Sequence, residues 1–278
     1  MIVVAGFAST IFMPLTGLLN DRYGWRTTLL LLATLYGLVA VPLHALAVRR
    51  PPTTGPAPPR RRTLVRAALR DGRFWCLAVA FVAHAAAMST MTIHLVGYLI
   101  ASGHPATFAA TVAGLLGVLS VTGRLLLTAA RQRFRLSSVV AFVFLVQAVA
   151  AVGLLVAAGS RLGAVLAVTG FGIGFGVASL AGPALLADRY GTTAYATIAG
   201  TLATPVTLAK AGAPLAAATL YTTTGDYRPV LVTVGALCLL AAIGILARTA
   251  TPSPADQVAA ARPSRTATGT DSTYITNP

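Results

Sequence analysis

Residues 137–158 read SSVVAFVFLVQAVAAVGLLVAA, and the five residues from Arg131 to Arg135 just before them read RQRFR. The longer stretch carries no charge. At about 1.5 Å per residue a helix of that length covers roughly 33 Å, enough to cross a hydrocarbon core about 30 Å thick. The basic stretch then sits where such a helix leaves the bilayer. Working outward, runs of the same kind occupy roughly 2–19, 26–48, 74–100, 106–130, 162–186, 194–221 and 228–247. The whole composition agrees: 56% of the 278 residues are hydrophobic and 10% are charged, whereas soluble globular chains carry about 25% charged residues. The expected fold class is an all-α, multi-pass membrane protein of about eight transmembrane helices, placed in the cell membrane.

The separators are turn sequences: Asp21-Arg22-Tyr23-Gly24, Ser102-Gly103-His104-Pro105, Ala158-Gly159-Ser160-Arg161 and Thr224-Gly225-Asp226-Tyr227. Two stretches differ in kind. Residues 49–72 form a basic, Pro- and Arg-rich linker, and residues 249–278 form a Thr/Ser/Pro tail too poor in apolar surface to fold. The organisation expected is therefore two transmembrane helices over 1–48, the linker over 49–72, a six-helix bundle over 73–248 and a disordered tail over 249–278. No charged region precedes the first apolar run and no small-residue cleavage site follows it, so this span is expected to be retained.

A net charge of +15 and a pI near 11.3 raise nucleic-acid binding as a reading. The placement of the basic residues answers it, because they lie between apolar runs and no soluble domain remains to carry a basic face. Assigned to alternate loops, 15 arginines fall on one side, in the linker, at Arg73, in the 131–135 loop, at Arg189, at Arg248 and in the tail. Only Arg22, Arg26, Arg161 and Arg228 fall on the other. Cytoplasmic loops carry the positive excess, so the linker and both termini are expected in the cytoplasm. The lipid bilayer is one expected partner; the oligomeric state is left open.

The acidic residues are six Asp and no Glu, all outside the centres of the long runs. Cys76 and Cys238 lack CxxC or His spacing and are expected to fill space among helices. Neither a metal nor a cofactor is implied, and the spans show no Ser/His/Asp constellation, so an enzyme is not expected. The run from Gly170 to Gly176 fails the GxGxxG spacing of a dinucleotide site. Its pairs Gly170/Gly174 and Gly172/Gly176 place small residues four apart, which lets helices approach closely in lipid.

An ionisable group at the centre of a span costs at least about 2.5–3.5 kcal/mol, so each one is a functional-site hypothesis. Lys210 lies in the 194–221 span, roughly 16–24 Å from either boundary. With no carboxylate in any span to pair with it, an anionic ligand is its natural partner. The competing reading is a lysine bonded to carbonyls freed near Pro205 and Pro214. Arg124 is nearer its helix end, where snorkelling to the headgroups competes with bidentate recognition of a carboxylate. Facing inward, Arg124 and Lys210 would form an anion clamp. Thr90, His94 and Tyr98 recur at i, i+4 and i+8, so one helical face should line the cavity as substrate-binding residues. His84 is about 80° round the helix from His94. Either histidine is a candidate proton relay, with a bond to a neighbouring helix the stronger reading for His84.

Three loop sequences carry a family resemblance. Pro14 to Arg26, PLTGLLNDRYGWR, resembles the junction between the fifth and sixth helices of the major facilitator superfamily. Gly123-Arg124 followed by Arg131 to Arg135 resembles the end of that family's eighth helix and the loop after it, although Thr128 and Gln132 stand where the family has Gly and Asp. Thr224 to Arg228 resembles its last turn, between helices eleven and twelve. The resemblance spans about residues 1–248. It implies a partial facilitator fold, with helices five and six followed by a complete carboxy-terminal half and without the first four helices. It also implies transport of a small molecule by alternating access. Ile93-His94-Leu95-Val96, Gly103 and Arg124 look most like the branch of monocarboxylate and oxalate–formate transporters. There a cation on the eighth helix, sometimes with a lysine on the eleventh, binds a substrate carboxylate, which implies an organic anion at Arg124 and Lys210. The alternatives are efflux of amphipathic drugs through an apolar cavity that does not require Lys210, and an inactive truncated fragment of such a transporter.

Overall fold

The computed structural model describes residues 2–47, 66, 69–190 and 195–247; most of the 49–72 linker and all of the 249–278 tail lie outside the described residues. Among the described residues the long helical runs are, in chain order, α1 Ile2–Ala47, α2 Gly72–Ala101, α3 Ala106–Ala130, α4 Leu136–Ala157, α5 Arg161–Tyr190, α6 Tyr195–Thr224 and α7 Arg228–Ala247. Inside α1 the backbone leaves helical geometry at Gly24, with φ 73° and ψ 164°. That is the left-handed region glycine enters without steric cost, so α1 is two helices meeting at the expected turn. Gly225, at φ 69°, makes the α6–α7 turn in the same way.

Among the described residues six stretches are long and apolar enough to cross a membrane: 22–46, 72–101, 106–130, 136–157, 161–188 and 228–247. The expectation of about eight included 2–19 and 194–221, whose described residues are helical but not among these six. For α6 the reason is composition: its 30 residues hold a run of threonines, two prolines and Lys210. Each of Thr201, Thr204 and Thr207 satisfies its hydroxyl by donating to the carbonyl four residues back, at 2.9–3.2 Å. Such threonines are tolerable in a spanning helix even though they lower its hydropathy.

Helices α2 to α7 form one bundle. Short turns make successive helices antiparallel, and α2 packs on α6 and α7, α7 on α4, α4 on α5 and α5 on α3, while α1 touches the bundle at α3. Two core clusters are stacked along the bundle axis. One gathers Phe74, Phe81, Leu127, Phe144, Leu185, Leu202 and Ile245. The other gathers Met91, Leu95, Val112, Leu154, Phe171, Val234 and Cys238. The stacking puts the 131–135 loop, Arg70 and Arg73 at one end of the bundle and Arg161 and Arg228 at the other. This is the division of positive charge read from the loops.

The glycine run of α5 serves two neighbours. A methyl group on Gly172 would meet Leu119 of α3 at 2.6 Å, and one on Gly176 would strike the Ser120 carbonyl. On the adjacent face, a methyl on Gly170 would touch Ala150 of α4 at 3.4 Å, and one on Gly174 would strike the Gln147 amide. The two i, i+4 pairs therefore set the approach of α5 to α3 and to α4 separately, the close packing that small residues allow in lipid.

Candidate functional site

A cavity of about 470 Å3 opens at mid-depth between α2, α5 and α6. From α2 it is lined by Phe81, His84, Ala85, Met88, Ser89, Thr92 and Ile93, from α5 by Phe175, Ala178 and Ser179, and from α6 by Val206 and Lys210. On α2 the lining recurs at 81, 85, 88 and 92 and at 84 and 88, the stripe of a single helical face. Lys210 is the charged side chain of this lining; it is the sixteenth of the 30 residues of α6, and it is exposed. The hydroxyls donate to their own helices: Ser89 to the Ala86 carbonyl at 3.2 Å, Thr92 to Met88 at 2.7 Å and Ser179 to Gly176 at 2.7 Å. Each hydroxyl has one proton to give, so the cavity combines apolar walls with one cation and a few oxygen lone pairs.

His84 is 2% exposed and borders the cavity from within the core. Its Nε2 lies 2.9 Å from Oε1 of Gln147, and its ring stacks on Phe144 with centroids 4.0 Å apart. The Gln147 amide nitrogen donates to the Phe171 carbonyl at 2.8 Å and approaches the Met88 sulfur at 3.2 Å. With both amide protons committed, Oε1 can only accept. Nε2 of His84 therefore carries a proton and donates it to Gln147. This is the helix-to-helix bond read as the stronger alternative for His84. Gln147 itself was not singled out in the sequence, although a fully buried amide in the middle of the most apolar span was a signal of a polar function inside the bundle.

The face of α2 expected to line the cavity is turned elsewhere. Thr90, 4% exposed, borders a separate space of about 150 Å3 against α6 and α7, with Ala213, Ala217 and Val234. The Nε2 of His94 lies 3.0 Å from the Pro214 carbonyl of α6, and its ring meets Tyr227 edge-on. The Tyr98 hydroxyl donates to the Leu154 carbonyl near the end of α4 at 2.7 Å, and its ring also meets Tyr227. Tyr227, in the α6–α7 turn, stacks on Tyr221 with centroids 4.1 Å apart. Burial, reinforced by Tyr221, holds its hydroxyl above the usual phenol range. His94 and Tyr98 thus tie α2 to α6, to α4 and to the α6–α7 turn, while Thr90 faces α6 and α7 across the small space. The i, i+4, i+8 spacing identified a shared face correctly but not what that face meets.

Arg124 is not among the residues lining the cavity. Its stem packs on α5, where a methyl on Gly176 would come within 2.9 Å of the Arg124 Cγ. The structure therefore brings Lys210 and His84 to one cavity and sets Arg124, Thr90, His94 and Tyr98 outside it. Among the described residues no cluster of three His, Cys or acidic side chains gathers as a metal site would require. A family model described as Major Facilitator Superfamily matches residues 1–206 of the chain, from α1 through the first part of α6, ending four residues before Lys210.

Proposed function

Because the chain belongs to the Major Facilitator Superfamily, a family of transporters and not of enzymes, we propose that it carries a small organic anion such as a monocarboxylate, recognised by Lys210. The observation that supports this is a cation at mid-span beside a cavity of about 470 Å3 that no acidic side chain among the described residues lines. A lysine there is costly in lipid and has no acidic partner among the described residues lining the cavity, so an anion that enters gains both its charge and its hydrogen bonds. Movement by alternating access would expose the cavity to each side in turn. The positive end of the bundle, with the 131–135 loop, is assigned to the cytoplasm on the excess of arginine.

The competing reading is export of amphipathic molecules, favoured by the apolar walls of Phe81, Phe175, Ile93 and Val206. Uptake of radiolabelled lactate and benzoate into proteoliposomes containing the full chain, beside a Lys210→Ala variant, separates the two. The anion reading expects carboxylate uptake that disappears in the variant. Transport of cationic drugs that ignores the substitution would replace it with the export reading.

A further inference from the structure

We propose that the turn from Arg131 to Arg135 is a docking site for anionic phospholipid, its three arginines holding headgroup phosphate and Phe134 seated at the edge of the acyl chains. None of these residues lines the cavity, and the site does not depend on what the cavity carries.

Depth in the bilayer is set by the neighbouring helices. The spans Ala106–Ala130 and Leu136–Ala157 leave five residues between them, Arg131-Gln132-Arg133-Phe134-Arg135. Backbone bonds draw this connection tight: the Gln132 N–H donates to the Ala129 carbonyl at 3.2 Å, and the Arg133 and Phe134 N–H groups to the Ala130 carbonyl at 3.1 and 2.9 Å. A turn so short between two spans stays at headgroup level. Phe134 is 65% exposed there. A ring that the protein leaves uncovered at this depth gains by lying at the boundary between headgroups and acyl chains.

The arginines are placed partly against local electrostatics. Arg131, Arg133 and Arg135 are all exposed, and none has an acidic partner among the described residues. Arg131, as the C-cap of α3, stands at a helix end that favours a cation. Arg135 does not: it is the N-cap of α4, where an oxygen-bearing side chain is usual and where no side-chain cap is made. Cations beside the positive end of a helix are disfavoured, and three within five residues repel one another. An anion supplied from outside the protein relieves both costs. At headgroup level that anion is lipid phosphate, which a guanidinium can hold through two hydrogen bonds.

The opposite end of the bundle is built differently. Arg228 lies 3.9 Å from the Asp226 carboxylate, and Arg161 stands over the Phe108 ring at 5.7 Å. Those side chains are engaged within the chain, whereas no partner among the described residues takes the three of the turn.

The test is equilibrium binding of dioctanoylphosphatidylglycerol, dioctanoylphosphatidylcholine and inorganic phosphate to the full chain in a neutral detergent. We expect the glycerol lipid to bind at least about tenfold more tightly than the choline lipid, whose ammonium opposes the arginines, and than free phosphate, which gains nothing from Phe134. Replacing Arg131, Arg133 and Arg135 together by Gln should abolish the preference. Arg133→Gln alone should weaken binding of the glycerol lipid about fivefold, and it carries the test if the triple variant folds poorly. Gln at Arg60, Arg61 and Arg62 of the linker, or at Arg161, should leave that affinity within about twofold. Equal binding of the two lipids, an unaltered affinity in Arg133→Gln, or a loss that follows the linker arginines instead would overturn the proposal. Free phosphate bound as tightly as the glycerol lipid would also overturn it, in favour of a soluble anion at the turn.

Discussion

The two faces of α2 carry similar chemistry and do different work. One presents His84, Met88 and Thr92 beside a cavity; the other presents Thr90, His94 and Tyr98 to neighbouring helices. Each histidine uses Nε2 for an interhelical bond, His84 to a side-chain amide at 2.9 Å and His94 to a backbone carbonyl at 3.0 Å. The difference lies in what stands opposite. Across from His84 is Lys210 and open space; across from His94 are the Pro214 carbonyl and the Tyr227 ring. A polar stripe on a spanning helix thus marks contact with something other than lipid, and its neighbours decide whether that is a ligand or another helix.

Substitutions on the cavity side should change ligand affinity, and those on the far side should change stability. The largest effect is expected for Lys210→Ala. Loss of a charge-assisted hydrogen bond worth about 1.5–3 kcal/mol should weaken benzoate binding on the order of 10- to 100-fold in an equilibrium binding measurement. Next comes Gly174→Val, which forces a side chain into the Gln147 amide. Overpacking of about 1–3 kcal/mol should lower the midpoint of thermal unfolding in detergent and, through His84, weaken binding as well. An unaltered midpoint would mean that α4 and α5 are not as closely apposed as described. The smallest effect is expected for Tyr98→Phe, which deletes the hydroxyl donated to Leu154. Interhelical hydrogen bonds in membranes average about 0.6 kcal/mol, so unfolding should shift slightly while benzoate affinity stays within about twofold. A large loss of affinity there would return Tyr98 to the binding site.

The expected spans and the observed helices agree closely across the bundle, for instance 106–130 with Ala106–Ala130 and 228–247 with Arg228–Ala247. The bilayer explains this, since it fixes the length of an apolar run and pushes charges to its ends. The pairing of Gly170 with Gly174 and of Gly172 with Gly176 was legible for a related reason, because close approach in lipid needs small residues at helical spacing. Rotational facing was not legible. In water the apolar side of a helix points inward, but in lipid both sides are apolar and the pattern loses its direction. Thr90, His94 and Tyr98 were therefore given to the cavity, and Gln147 passed unnoticed although it holds His84. Lys210 could be singled out without knowing its facing, because its cost at mid-span does not depend on it, and in the structure it lines a cavity.

In the anion reading the charge of Lys210, and not merely its size, recognises the ligand. It is tested most directly by comparing benzoate with its neutral isostere benzamide, in equilibrium binding to the native chain and to Lys210→Met, which keeps the length of the side chain without its charge. The account predicts that the native chain prefers benzoate by roughly tenfold or more and that the preference vanishes in the variant. An equal preference in both proteins would contradict it.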